Sequence, residues 1–133
     1  MTVALSSEGK GFLTVDITGV ASAANAGMGQ ILNPEGVRLA ITRVYAYFAT
    51  GSTGAANLDV GIGASGAKAS DILSAFDMIE ATVGGKAFFG VQVPVNEAEQ
   101  TVIWETTEYL TFTGSASSVG LAGKLFVEYI RLY

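Results

Sequence analysis

The sequence contains no cysteine and no histidine. Without cysteine there can be no disulfide, no thiolate nucleophile and no Cys-ligated zinc or iron–sulfur site. The redox compartment stays open. Without histidine the commonest general base, transition-metal ligand and pH switch are gone, and a Ser-His-Asp triad cannot be assembled. Any metal chemistry would fall to carboxylates and carbonyls, which suit calcium or magnesium. Charge is also scarce. Lys, Arg, Asp and Glu make up 14% of the 133 residues, against about 25% in ordinary domains. The net charge is −5, and the seven basic residues are not clustered, which argues against a nucleic-acid partner.

Long apolar runs are missing too. Ile17–Pro34 is uncharged but filled with Gly, Ala, Ser and Asn, and Val37–Thr50 alternates and carries Arg38 and Arg43. Neither offers the roughly 20 apolar residues of a spanning helix, and too few alternating segments are present for an outer-membrane barrel. Met1–Lys10 lacks the basic-then-apolar order of a signal peptide. We therefore expect a soluble chain with no membrane partner, whose half-apolar composition is buried partly against other subunits.

What is present is β patterning. Residues 1–10 lack periodicity and read as an N-terminal arm; residues 11–133 read as one domain. In Gly11–Thr18, Leu13, Val15 and Ile17 share a face. A loop over Gly19–Gly29 leads to a short strand near Met28–Leu32, and Asn33-Pro34-Glu35-Gly36 is a turn. Val37–Thr50 is the longest strand. Its apolar phase shifts near Thr42-Arg43, which predicts a β-bulge or a sheet-switching bend. Gly51–Ala56 reads as a hairpin loop, and Asn57–Gly63 alternates with Leu58, Val60 and Ile62 inward. Ile72, Leu73, Phe76 and Ile79 have helical spacing, so the segment 67–80 has room for a short helix, the alternative being a long loop. Ala87–Val95 ends at Pro94 as an edge strand would. Asn96–Gln100 is an acidic turn. Thr101–Glu105 and Tyr109–Gly114 are short strands. Leu121–Tyr133 is apolar on both faces, as a central or covered strand is. The expected fold is all-β: an antiparallel β-sandwich of jelly-roll type with seven or eight strands.

Chemistry-bearing motifs are weak. Gly61-Ile62-Gly63-Ala64-Ser65-Gly66 matches the dinucleotide-binding glycine pattern. With 17 glycines in the chain and no second βαβ unit, it reads instead as a glycine-rich strand end. Asp71, Asp77 and Glu80 have no spacing that fixes a hydrolytic pair or a calcium loop and read as a solvated segment, as do Glu97 and Glu99. The aromatics Tyr45, Tyr47, Phe88, Phe89, Trp104, Tyr109, Phe112, Tyr129 and Tyr133 could line a sugar-binding face, but most sit in strand patterns and read as core. The outward-facing tyrosines Tyr45 and Tyr47, with Tyr129 and Tyr133, are the candidate subunit contacts. No catalytic, cofactor-binding or metal residue is assigned.

At Asn33-Pro34-Glu35-Gly36-Val37, Ile41-Thr42-Arg43-Val44, Thr53-Gly54-Ala55-Ala56-Asn57-Leu58-Asp59-Val60-Gly61 and Phe126-Val127-Glu128-Tyr129-Ile130-Arg131, the chain resembles small jelly-roll virion proteins of tailed bacteriophages. The likeness is greatest to head decoration, or cement, proteins. This resemblance implies a non-enzymatic virion protein, made in the host cytoplasm and placed on the capsid surface. It would form a homo-oligomer, a trimer being favoured, with the major capsid protein as partner and Met1–Gly11 as a gripping arm. A tail, fibre or baseplate component of the same fold and a carbohydrate-binding β-sandwich module are the alternatives.

Overall fold

The computed structural model describes residues 9–21, 27–84, 87–91 and 102–132. The proposed arm (but for its last residues), the acidic turn at 96–100, Pro94 and Tyr133 lie outside them. Eight strands have four residues or more: β1 (Lys10–Thr18), β2 (Gly29–Leu32), β3 (Arg38–Thr50), β4 (Asn57–Gly63), β5 (Leu73–Asp77), β6 (Ala87–Val91), β8 (Tyr109–Gly114) and β9 (Ala122–Leu132). A two-residue strand, β7 (Ile103–Trp104), and one helical turn, α1 (Glu80–Val83), complete the described elements.

The strands form two antiparallel sheets. Sheet A has the order β1-β9-β3-β6, with β7 also on β3; sheet B has the order β2-β8-β4-β5. The pairs are nested: β1 with β9, β2 with β8, β3 with β6 and β4 with β5. A single long hairpin whose tip is β4–β5 has therefore been rolled up until β9 also meets β3 and β8 also meets β4. This is the winding of a jelly roll, and it bears out the expected fold class.

The core lies between the sheets. Val15 and Ile17 of β1, Leu39, Ile41, Val44, Ala46 and Phe48 of β3, and Leu125 and Val127 of β9 face Leu58 and Val60 of β4 and Leu110 and Phe112 of β8, all buried. The predicted phase change is a register shift between Ile41 and Arg43 against β9. The extra residue lets Leu39 and Ile41 before it, and Val44, Ala46 and Phe48 after it, all point inward. Strand β9 is central, as its two apolar faces required. At the turn, the Asn33 Oδ1 accepts the backbone N–H groups of Glu35 (3.0 Å) and Gly36 (3.2 Å). Its Nδ2 donates to the carbonyls of Val37 (2.9 Å) and Trp104 (3.1 Å). One buried amide thus fixes the Asx turn and binds it to β7.

Three readings need correction. Gly51–Ala56 is not a hairpin loop: β3 and β4 lie in different sheets, so the segment carries the chain across the sandwich. The segment 67–80, open to a short helix or a long loop, holds no helix before Glu80. It holds an extended stretch and then β5, and the helical turn comes later, at Glu80–Val83. The three-residue step from Leu73 to Phe76 belongs to a bulge, because these residues pair with Val60 and Leu58, only two apart on β4. Ala75, in that bulge, has φ 51°. Finally, Lys10 and Gly11, read as the end of an arm, are already part of β1, paired with Ile130 and Tyr129.

Candidate interaction surface

Each sheet has an outward face, and the two are finished differently. On sheet B the outward positions are Gln30 of β2, Thr111 and Thr113 of β8, and Asp59, Gly61 and Gly63 of β4. The chain between β4 and β5 lies back across them. Gln30 Nε2 donates to Ser65 Oγ (2.9 Å) and Gln30 Oε1 accepts the Gly66 N–H (2.8 Å). Asp71 Oδ1 accepts the Ile62 N–H (2.8 Å). Asp59 Oδ1 accepts the Ala75 N–H (3.0 Å), and its other oxygen lies 3.4 Å from Lys68 Nζ. Beneath this cover Asp59, Thr111 and Thr113 are buried.

The glycine-rich match is explained by the same cover. A Cβ on Gly61 would lie 2.1 Å from the Asp71 carboxylate and 2.7 Å from the Ala69 backbone, so only glycine lets the segment approach. Gly66 opens no helix: the chain runs on to β5. The carboxylates read as solvated are exposed, and each also accepts a hydrogen bond: Asp71 as above, Asp77 from the Ile79 N–H (3.1 Å) and Thr82 Oγ1 (2.8 Å), and Glu80 from the Gly51 N–H. Among the described residues no group of three acidic side chains is placed to hold a metal ion.

The outward face of sheet A has no such cover among the described residues. Because β1, β9 and β3 are in register, its side chains form cross-strand rows. From one end these are Thr18 and Ala122 with Thr50 nearby; Asp16, Lys124 and Tyr47; Thr14, Phe126 and Tyr45; Phe12, Glu128 and Arg43; and Lys10, Ile130 and Ala40. Phe12 is 59% exposed and Ile130 40%. Phe126, Tyr45 and Tyr47 are half-buried. The Phe12 and Phe126 rings lie 6.2 Å apart, tilted by 30°. Charges are interleaved with the aromatics. Lys124 Nζ sits 2.6 Å from Asp16 Oδ1, Lys10 Nζ 3.8 Å from Glu128 Oε1, and Arg43 Nη1 3.3 Å from Tyr45 Oη. The contact with Tyr45 is the main reason the Arg43 pKa is raised. At the Ala122 end is a shallow pocket of about 300 Å³, walled by Tyr47 and the Asp16–Lys124 pair and floored by Ala49, Ala122 and Gly123.

Two of the four candidate tyrosines, Tyr45 and Tyr47, stand together on this face. Tyr129 does not. It points the other way, is 3% exposed, and lies where a Cβ on Gly11 would be, 2.4 Å from its ring. Gly11 on the neighbouring strand makes the room that buries it. Its hydroxyl donates to Glu35 Oε2, which also accepts from Arg131 Nη2 (2.7 Å). This cluster closes one end of the sandwich. Arg131, with a smaller contribution from Tyr129, holds the Glu35 carboxyl below its ordinary value. Burial, aided by Glu35, pushes the Tyr129 hydroxyl up to about 12. Of the other aromatics, Trp104 and Phe112 are core. Phe12, Phe126 and Ile130 were missed as surface residues, although each falls on the outward phase of a strand whose inward phase was already apolar.

No family model matches the chain, and no curated protein matches it. Among solved structures it is similar to a chain of the capsid asymmetric unit of cyanophage Pam1. The identity is 16% and the TM-score 0.55, over 99% of this chain and 93% of that one. The likeness is one of fold, and it runs nearly end to end.

Proposed function

We propose that the protein is a non-enzymatic structural component of a bacteriophage virion. It would act as a decoration protein that stiffens the head by packing against the capsid shell and against its own copies. The observation that carries this reading is the outward face of sheet A, uncovered among the described residues, where aromatics are set between charged groups on a jelly roll. Exposed apolar patches of this kind mark association surfaces, and aromatic residues and Arg are enriched at their centres. The fold likeness to a capsid chain of similar length supports a place in the virion. The length match favours an accessory subunit of jelly-roll size, with the major capsid protein as the partner beneath it and Tyr45 and Tyr47 among the contacts between copies. Three copies per assembly is the number the family resemblance favours.

The test is direct. Purified heads of the parent virus lacking this protein are mixed with it and pelleted. Saturable co-sedimentation, with heads that then resist heating or dilution better, is the expected result. A protein that stays in the supernatant at every concentration removes the head-decoration role.

A further inference from the structure

We infer that the outward face of sheet A binds the same face of a second copy, the two sheets stacking about a two-fold axis that crosses the strands at the Phe126 row. This rests on the reading of that face as an association surface but not on the virion role. The argument is the order of the rows. A two-fold axis lying between stacked sheets, perpendicular to the strands, reverses the row order and keeps each strand facing its own copy. The Thr14–Phe126–Tyr45 row then lies over itself. One row away, Lys124 faces Glu128 of the second copy, and Tyr47 faces Arg43; both relations occur twice by symmetry. The first is an opposite-charge pair, and the second places a guanidinium over an aromatic ring. Two rows away, Ala122 faces Ile130. The shallow pocket floored by Ala49 and Ala122 thus lies opposite the side chain that is 40% exposed. Ala122 meets Ile130, Lys124 meets an anion and Arg43 meets a ring, all in one register.

The area is sufficient. Five rows over three strands cover roughly 500 Å² per copy at ordinary strand dimensions. Two copies together reach the ~1,000 Å² that separates specific interfaces from casual contacts. Aligned face-to-face packing at about 10 Å is the ordinary way two such sheets meet. Phe12 and Asp16, on the edge strand β1, remain at the wet rim. A self-complementary contact of this kind is isologous, so it joins copies in pairs. The assembly in solution then contains an even number of protomers: two, or six where three-fold contacts also close.

The experiment is a charge swap across the axis. Lys124→Glu sets Glu against Glu128 of the second copy, and Glu128→Lys sets Lys against Lys124. Each variant alone has two like-charged contacts. The mixed pair has two opposite-charged ones. The changes lie on exposed or half-exposed side chains, and circular dichroism checks that each variant folds. By light scattering, wild type is expected at two or six protomers, each variant alone at half that mass, and the equimolar mixture back at the wild-type mass, with association at least tenfold tighter than either variant shows alone. A wild-type mass of one or three protomers at high concentration overturns the stack. So does a mixture no better associated than its parts. A bare trimer that still pellets with heads would overturn this inference and leave the decoration role standing.

Discussion

On sheet B the outward side chains Asp59, Thr111 and Thr113 are buried, while on sheet A the outward Phe12 and Ile130 are 59% and 40% exposed. The polar face is the buried one, and the face that mixes aromatics with charges is the exposed one. The polar face has been sealed by the protein's own chain, and the seal is possible because each buried polar group finds a partner there. Asp59 holds Ala75 and Lys68, Thr111 Oγ1 donates to the Gly61 carbonyl (3.3 Å), and Asp71 holds Ile62. On the other face the charged groups pair with one another, Lys124 with Asp16 and Lys10 with Glu128, and no segment among the described residues lies across the aromatics between them. Leaving Phe12 and Ile130 exposed forgoes the stabilisation of about 25 cal/mol per Å² that burying apolar area contributes. The difference therefore separates the two faces: sheet B's is finished within the chain, and sheet A's, uncovered among the described residues, is the one on which the proposed interface rests.

The largest expected effect tests the sealed side. Asp59→Ala removes the acceptor for the Ala75 N–H and the counter-charge for Lys68 under a cover that admits little water. Loss of a buried, charge-assisted hydrogen bond of this kind costs about 1–3 kcal/mol. Urea unfolding should show that loss, and Asp59→Asn, which keeps an acceptor oxygen, should recover a good part of it. A change under ~0.5 kcal/mol, the range of ordinary surface substitutions, would mean that the segment is held loosely and the contrast between the faces is overstated.

The sequence told one face better than the other for a physical reason. A strand's inward and outward phases are local and have a period of two, so the inward sets of β1, β3 and β4 and the bulge at Thr42-Arg43 could be read directly. The Asn33-Pro34 turn carries its own chemistry and was equally plain. The cover on sheet B depends on contacts between residues far apart in sequence, such as Gln30 with Ser65, and no local pattern encodes these. The bulge at Ala75 changed the step between Leu73 and Phe76 from two to three and so imitated a helix. Asp59 alternates with inward residues and so reads as exposed, because its cover comes from the excursion between β4 and β5, which no local pattern places against it. Tyr129 could not be placed because its burial depends on Gly11, its neighbour only through the β1–β9 pairing.

A smaller effect concerns the end of the sandwich, where charge is half-buried and so lies between the two faces in character. Glu35 is held below its ordinary 4.5 by Arg131 and Tyr129. A lowered carboxyl pKa means that its contribution to stability is complete above pH 4.5 and is lost as pH falls through the folded-state value. Tyr129, raised from 10 to about 12, keeps its proton in the folded chain after the unfolded chain has released it. Stability should therefore also fall as pH rises from 10 to about 12. Melting temperatures at acid, neutral and strongly alkaline pH should trace both slopes. In Glu35→Gln the acid slope should flatten, while the neutral-pH melting temperature falls. Parallel curves for the two proteins would mean that this cluster is open to solvent, as the charges on sheet A are.

The smallest expected effect on folding is on the open face itself, and it is the one that gives the comparison its meaning. Phe12→Thr removes the large hydrophobic side chain that is most exposed among the described residues from an edge strand and substitutes a residue that strands favour. The ring contributes little to the core, so unfolding free energy should change by no more than ~0.5 kcal/mol, the range of surface substitutions away from special features. Self-association, read by sedimentation at several concentrations, should weaken measurably, because Phe12 leans on Phe126 at the centre of the contact. A surface residue whose loss leaves folding intact and reduces assembly belongs to the interface. If instead Phe12→Thr destabilised the monomer as much as Asp59→Ala, the exposed ring would be part of the fold's own packing. The outward face of sheet A would then be a finished surface like its opposite.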